Sequence, residues 1–183
     1  TVPGFAPSSQ KLAGRGETLR GRNPLYLIDG VPQHNALRDG QRDGHSIDLA
    51  FVDRIEVING SNAIQGVGAT GGVVNIVTPR LERDAPLRLR TRARVTSADE
   101  YDDDALAYKG SVLASQGFER GAVLAGVAVH ERGLFLDANG DPVGIYPTQG
   151  DIMDSTSVSL MLKGEYDLSD DRTVGFMINN FEL

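Results

Sequence analysis

The sequence predicts two successive bodies: a small α+β domain over residues 1–80 and a run of antiparallel strands over residues 81–183. Three observations predict this. Before Pro79 the apolar pieces are short and broken by Gly, Asn and Pro. Beyond Pro86 the apolar residues recur every second position, the strand period. The connections between those later strands alternate between long and short.

The elements of the first body follow in order. "PLYLIDGVP" reads as a strand, Leu25 to Ile28, entering a turn at Asp29-Gly30. "HNALRDGQRDGHSID" has two Asp-Gly pairs and no steady period, so it reads as loop with a short helical turn. "VDRIEVING" is a strand with Ile55 and Val57 on one face and Arg54 and Glu56 on the other, stopped by Asn59-Gly60. "SNAIQG" suits one helical turn capped by Ser61. "GGVVNIVT" is a further strand, ended by Pro79.

In the second body, "LRLRTRARV" places Leu87, Leu89, Thr91, Ala93 and Val95 on one face. Arg88, Arg90, Arg92 and Arg94 take the other, and four arginines need water or carboxylates rather than a dry core. "ALAYKGSVLA" sets Leu106, Tyr108, Val112 and Ala114 against Lys109 and Ser111. "AVLAGVAVH" sets Val123, Ala125, Val127 and Val129 against the small Ala122, Gly126 and Ala128, with Leu124 an exception. "VSLMLKGEY" gives Val158, Leu160, Leu162 and Tyr166 one face, with Met161 on the polar side, and "TVGFMINN" opens a fifth strand. Between them, "SQGFERG" and "DLSDD" are short turns, "TSADEYDDD" is intermediate and acidic, and the segment from His130 to Ser155 is long and polar. Long loops on one side and short turns on the other describe an outer-membrane barrel, whose strands need roughly 9–11 residues to cross. A soluble sandwich gives the same alternation; the arginine row favours a water-filled interior.

Composition sets the bounds. Cysteine is absent, which excludes disulfides, thiolate catalysis and Cys-ligated metal. No apolar run is long enough for a transmembrane helix, which leaves transmembrane strands open. The net charge of −7 belongs to the second half, where 18 acidic groups face 10 basic ones, and this argues against a nucleic-acid partner.

Specific stretches now carry a resemblance. "LRGR", Leu19 to Arg22, resembles the Arg-Gly element of the plug domain of TonB-dependent outer-membrane receptors, through Arg20 and Gly21. "LYLIDGVP", Leu25 to Pro32, resembles the family's strand followed by Asp-Gly-Val-Pro. "VDRIEVINGSNAIQGVGATGGVVNIVT", Val52 to Thr78, resembles the long signature that closes the plug: Arg54, Ile55 and Glu56 match its Arg-Ile-Glu core, followed by Val57 and Gly60. Gly66 matches its middle turn, and Gly71, Gly72, Asn75 and Ile76 its last strand. Ser61 stands where the family usually has Pro, and Gln65 where an aromatic is common. The resemblance covers residues 15–80 sharply and residues 81–183 loosely, as the first barrel strands.

The resemblance implies an α+β plug domain followed by antiparallel strands of a transmembrane β-barrel, here a partial barrel. It implies a siderophore-receptor-like uptake receptor in the bacterial outer membrane, surrounded by lipid, with a ferric siderophore or similar scarce ligand outside and a TonB-type inner-membrane energy complex as partner. No cofactor is implied. Cobalamin uptake, and a soluble or surface β-rich binding module without transport, are the alternatives. Arg20, Arg54, Glu56, Arg88, Arg90 and Arg92 are the expected plug–barrel seating residues. Arg22, Asn23, His34, Arg38 and Arg42 are the ligand-facing candidates, by position and because basic groups suit an anionic ferric complex. Gly21, Gly30, Gly60, Gly66, Gly71 and Gly72 are expected to shape the plug backbone. Tyr108 and Tyr166 are candidates for membrane-interface positions. Five strands cannot close around a plug, so the chain is expected to be a piece of a receptor.

Other motifs weigh less. Gly66-Val-Gly-Ala-Thr-Gly71 has the spacing of a dinucleotide loop but runs into a strand instead of opening a helix. "DANGD", Asp137 to Asp141, fits the D-x-N-x-D start of a calcium loop but no Glu closes it at the twelfth position, so a polar turn is expected. His34, His45 and His130 lie at no metal-site spacing. No nucleophile–base arrangement appears, and the expectation is a protein that is not an enzyme.

Overall fold

The computed structural model describes residues 2–6, 17–33, 46–60, 68–97, 105–142 and 154–183. It divides into two compact units, with one boundary at Pro79–Arg80. The first contains Thr1–Ser46 and Val52–Pro79; the second contains Arg80–Val143, Met153–Leu183 and a short segment from earlier in the chain, Ile47–Phe51.

The first unit holds a two-stranded ribbon, β1 (Phe5–Ala6) with β2 (Thr18–Leu19). Beside it in sequence come β3 (Pro24–Ile28), β4 (Val31–Pro32), β5 (Arg54–Asn59) and β6 (Gly72–Val77), forming a sheet in the order β4-β3-β6-β5. β3 and β6 run parallel, whereas β4 and β5 are antiparallel to their neighbours. β6 is central and buried except at Asn75, as its Val-Val-Asn-Ile-Val composition suits a strand covered on both faces. Leu25, Leu27, Ala69 and Val73 form a core cluster.

The β3–β4 hairpin turns on Asp29-Gly30, both left-handed at φ 48° and 82°. This is the twist-matched two-residue turn that Asp-Gly favours. The expected helical turn at "SNAIQG" falls outside the described residues, as does most of the long loop before β5. The helical element among the described residues is a 3₁₀ turn, Leu49–Phe51.

The second unit is an antiparallel meander: β7 (Arg88–Ser97), β8 (Leu106–Phe118), β9 (Gly121–Arg132), β10 (Ser155–Ser169) and β11 (Arg172–Glu182), each paired with the next. Its strands are 10 to 15 residues long, enough to cross a bilayer when tilted. Two expected turns are shorter than the sequence suggested. "SQGF" belongs to β8, because Ser115–Phe118 pair with Gly121–Leu124 and leave Glu119-Arg120 as the whole turn. Asp167–Ser169 likewise continue β10 through a bulge, leaving Asp170-Asp171. Ladder hydrogen bonds here outweigh local turn composition.

Candidate functional site

The signature stretches of the first unit are tied into one hydrogen-bond network. Asp29 Oδ1 accepts from the backbone N–H of Thr78 at 2.8 Å, and Asp29 Oδ2 from its hydroxyl at 2.6 Å. The Asp29 N–H donates to the carbonyl of Ile76 at 3.0 Å. The adjacent Gly30 N–H donates to Asn75 Oδ1, and Asn75 Nδ2 donates to Glu56 Oε2, both at 3.0 Å. Glu56 Oε1 in turn takes the Arg54 guanidinium at 2.7 Å, and Arg54 also reaches Asp53 at 3.2 Å. The Glu56 hydrogen bond, with help from Asp53, raises the Arg54 guanidinium above its ordinary value. Asp-Gly, Arg-Ile-Glu and Gly-Gly-Val-Val-Asn-Ile are therefore three parts of one joint, closed where β3, β5 and β6 lie side by side.

Gly71-Gly72 is required by close packing. A Cβ on Gly71 would stand 2.4 Å from the carbonyl oxygen of Arg22, and one on Gly72 2.3 Å from that of Ile58. The backbone of β6 enters the sheet in a slot with no room for a side chain.

The second unit is two-faced. Along successive strands, Leu89, Ala114, Ala125, Leu162 and Ile178 stand in one cross-strand row, and Thr91, Val112, Val127, Leu160 and Asn180 in the next. The large members are exposed: Leu89 by 64 %, Leu160 by 49 % and Ile178 by 61 %. Five strands aligned in register thus build a continuous apolar surface that water would not favour. The opposite face carries the arginine row of β7, Lys109 and His130, and buries Leu124, Ala128 and Met161.

On that opposite face lies Ile47–Phe51. Lys109 Nζ pairs with Asp48 Oδ2 at 2.8 Å, and Asp48 is 5 % exposed. Arg90 Nη2 donates to the carbonyl of Ala50 at 3.0 Å. Phe51 is fully buried, its ring over Gly126, where a Cβ would stand 2.6 Å from Phe51 Cε1. Sequence inspection missed this dock. Lys109 stood out only as a polar-face residue, and nothing periodic marks Asp48 or Phe51. Gly126 among small residues opposite an apolar face was the one available signal.

The remaining expected residues fall as follows. Arg88 pairs with Glu82 at 2.9 Å, and Arg92 sits opposite Ser111 on the arginine face. Arg20-Gly21 forms a second left-handed turn, at φ 54° and 75°, with Leu19 and Arg22 exchanging backbone hydrogen bonds across it. Arg22 and Asn23 contribute backbone to the Gly71 slot: the Asn23 carbonyl accepts from Gly71 N–H at 3.0 Å and from the Thr70 hydroxyl at 3.3 Å. Gly60 is left-handed at φ 97°. His34, Arg38, Arg42 and Gly66 lie outside the described residues. "DANGD" is a polar turn in which Asp137 Oδ1 accepts from the N–H groups of Asn139 and Asp141 at 2.8 and 3.0 Å.

An interlocked glycine-rich sheet domain followed by long antiparallel strands with one apolar face defines a plug-and-barrel receptor. Residues 1–73 match the TonB-dependent Receptor Plug Domain family. The chain carries the plug domain of the TonB-dependent receptors, followed by antiparallel strands over which the likeness to receptor chains continues. Members of this family are receptors and transporters rather than enzymes. The chain is 33 % identical over 189 residues to the rhizobactin receptor of Rhizobium meliloti strain 1021, covering all of this chain and 24 % of that protein. It is 32 % identical over 173 residues to the ferric aerobactin receptor of Klebsiella pneumoniae, covering 93 % of this chain and 23 % of that protein. In fold it is similar to a mutant of the ferric enterobactin receptor PfeA from Pseudomonas aeruginosa, with a TM-score of 0.64 at 23 % identity over 97 % of this chain and 28 % of that one. The chain thus spans about a quarter of the length of these relatives.

Proposed function

We propose that this chain is part of an energy-coupled receptor that takes a ferric siderophore across the outer membrane. The observation that carries the reading is the pairing of an interlocked plug signature with strands bearing one continuous apolar face. The likeness to two siderophore receptors over nearly the whole chain supplies the cargo class. In this reading the ligand binds from outside, and a TonB-type inner-membrane complex pulls on the plug to open a path. The work is binding and conformational change, without bond chemistry in the ligand. A seating role for Arg20, Arg54, Glu56, Arg88, Arg90 and Arg92, and ligand contact by Arg22 and Asn23, belong to the same proposal.

The test is uptake of radioactive iron by iron-starved cells whose only siderophore receptor is the full-length protein. Ferric aerobactin and ferric rhizobactin are the first probes. Accumulation that disappears when the energy complex is deleted supports the reading. Uptake of neither, with cobalamin transported instead, overturns the cargo assignment. A full-length product that stays monodisperse without detergent overturns the membrane assignment.

A further inference from the structure

We propose that the apolar face carries a phospholipid site at its short-turn end, built for one acyl chain and a phosphoethanolamine headgroup. Two adjacent cross-strand rows make it. Phe118, Gly121, Tyr166 and Val174 align in one, and Val123, Gly164 and Phe176 in the next. Glycine alternates with aromatic residues, and the rings fold over the glycines. A Cβ on Gly164 would stand 2.6 Å from the Phe176 ring, and one on Gly121 3.3 Å from that of Tyr166. The bare backbone becomes the floor of a trough of about 450 Å³, and the rings become its walls. That volume is in the range of small-ligand clefts, roughly 300–1,000 Å³. Its lining is apolar except for Glu165, which alternation assigns to the opposite face of β10, and for the turn at one end.

At that end lies the two-residue turn Glu119-Arg120, which lines the trough with one charge of each sign. The Arg120 guanidinium lies 5.5 Å from the centre of the Tyr166 ring. Its Nη2 donates to the carbonyls of Asp167 and Leu168, each at 2.8 Å, which fixes the group at the rim. A guanidinium has five N–H donors, so Nη1 and Nε remain for a phosphate oxygen among the described contacts. Glu119 beside it suits an ammonium. An apolar trough ending in a fixed cation next to an anion matches a zwitterionic phospholipid: chain against the rings, phosphate on Arg120, ammonium on Glu119. A phosphatidylglycerol headgroup would leave Glu119 facing a second oxygen-rich group and no cation.

The proposal rests on the outer-membrane reading, and the experiment separates the two. The full-length receptor is reconstituted with phosphatidylethanolamine bearing a photoactivatable acyl chain, and the labelled peptides are mapped by mass spectrometry. Label is expected on peptides containing Phe118–Val123 and Gly164–Phe176. Unlabelled phosphatidylethanolamine should displace it better than phosphatidylglycerol. Arg120→Gln should weaken the labelling about tenfold, the loss expected for a charge-assisted hydrogen bond, and Val123→Trp should abolish it by filling the trough. Heat-modifiable gel mobility checks that each variant is folded. Competition on the unaltered receptor decides the matter if a variant does not fold. Equal displacement by the two lipids, or unchanged labelling in folded Val123→Trp, overturns the site while leaving the barrel intact. Loss of heat-modifiable mobility in the unaltered receptor overturns the membrane reading instead.

Discussion

Asp29 holds Thr78 by two bonds at once, one to its backbone N–H at 2.8 Å and one to its hydroxyl at 2.6 Å. Thr78 is 1 % exposed, so neither group has water as a substitute. The pair ties the hairpin turn of β3–β4 to the residue that directly follows β6. Replacing Asp29 with Ala removes both acceptors and should cost about 2 kcal/mol of local stability. In the full-length receptor, hydrogen exchange at Ile76–Thr78 should speed up by tenfold or more. Asp29→Asn should lose less, because Asn keeps an acceptor and tolerates the left-handed turn. Unchanged exchange in Asp29→Ala would show that the two bonds contribute nothing net.

Gly71 is expected to be intolerant of any side chain. Its Cβ would meet the Arg22 carbonyl at 2.4 Å and that of Leu19 at 2.7 Å, both backbone atoms that cannot swing away. Gly71→Ala should cost upwards of about 3 kcal/mol and yield a protease-sensitive plug. Gly110→Ala is the control: nothing lies within 4 Å of its Cβ, and folding yield should stay the same.

Breaking the Lys109–Asp48 pair should loosen the docked segment. With Asp48 nearly buried, Lys109→Gln strands a carboxylate and should cost about 3 kcal/mol, read as faster exchange at Ala50 and Phe51. The double change Asp48→Asn with Lys109→Gln should recover part of that loss, since no charge is then left unpaired. Additive losses would mean that the pair does not act as a unit.

Asp137 provides a pH test in an exposed loop. The N–H groups of Asp141 and Asn139 hold its carboxyl below the ordinary 3.8. A lowered folded pKa stabilises the turn above the unfolded value, and that contribution disappears as pH falls through the folded one. Exchange protection at Asn139 and Asp141 should therefore persist at pH 5 and vanish only at a pH below about 3.8. A carboxyl titrating at or above its ordinary value would contradict the geometry.

The Arg54–Glu56 pair is exposed, and both partners sit on one strand. Removing it with Arg54→Ala should leave the melting temperature of the receptor nearly unchanged, as exposed pairs usually do. A large fall in siderophore uptake at unchanged stability would then support the seating role. Unchanged uptake would remove Arg54 from it.

Much of the site was legible because its determinants are local. Asp29-Gly30 announces its turn by residue type alone, whereas the left-handed Arg20 in the Arg20-Gly21 turn does not. The alternation of β7 to β11 fixes which side chains share a face, so the arginine row and the apolar row could be separated without coordinates. The aromatic–glycine trough was not legible. Phe118, Gly121, Tyr166 and Val174 come from four strands, and a one-residue change of register would scatter them to opposite faces. The turns at Glu119-Arg120 and Asp170-Asp171, which set that register, were read as longer than they are.

By itself the sequence determined the Asp29-Gly30 turn, the two-residue period of the later strands and the glycine positions, because sterics and side-chain alternation act over a few neighbouring residues. Only the tertiary structure decided that β3 and β6 run parallel, that Asp29 meets Thr78 across 49 positions of chain, and that Ile47–Phe51 packs with strands far along the sequence. Those outcomes depend on pairing, on complementary shape such as Phe51 over Gly126, and on buried polar groups finding partners. All are set by contacts between distant segments, and no local pattern encodes them.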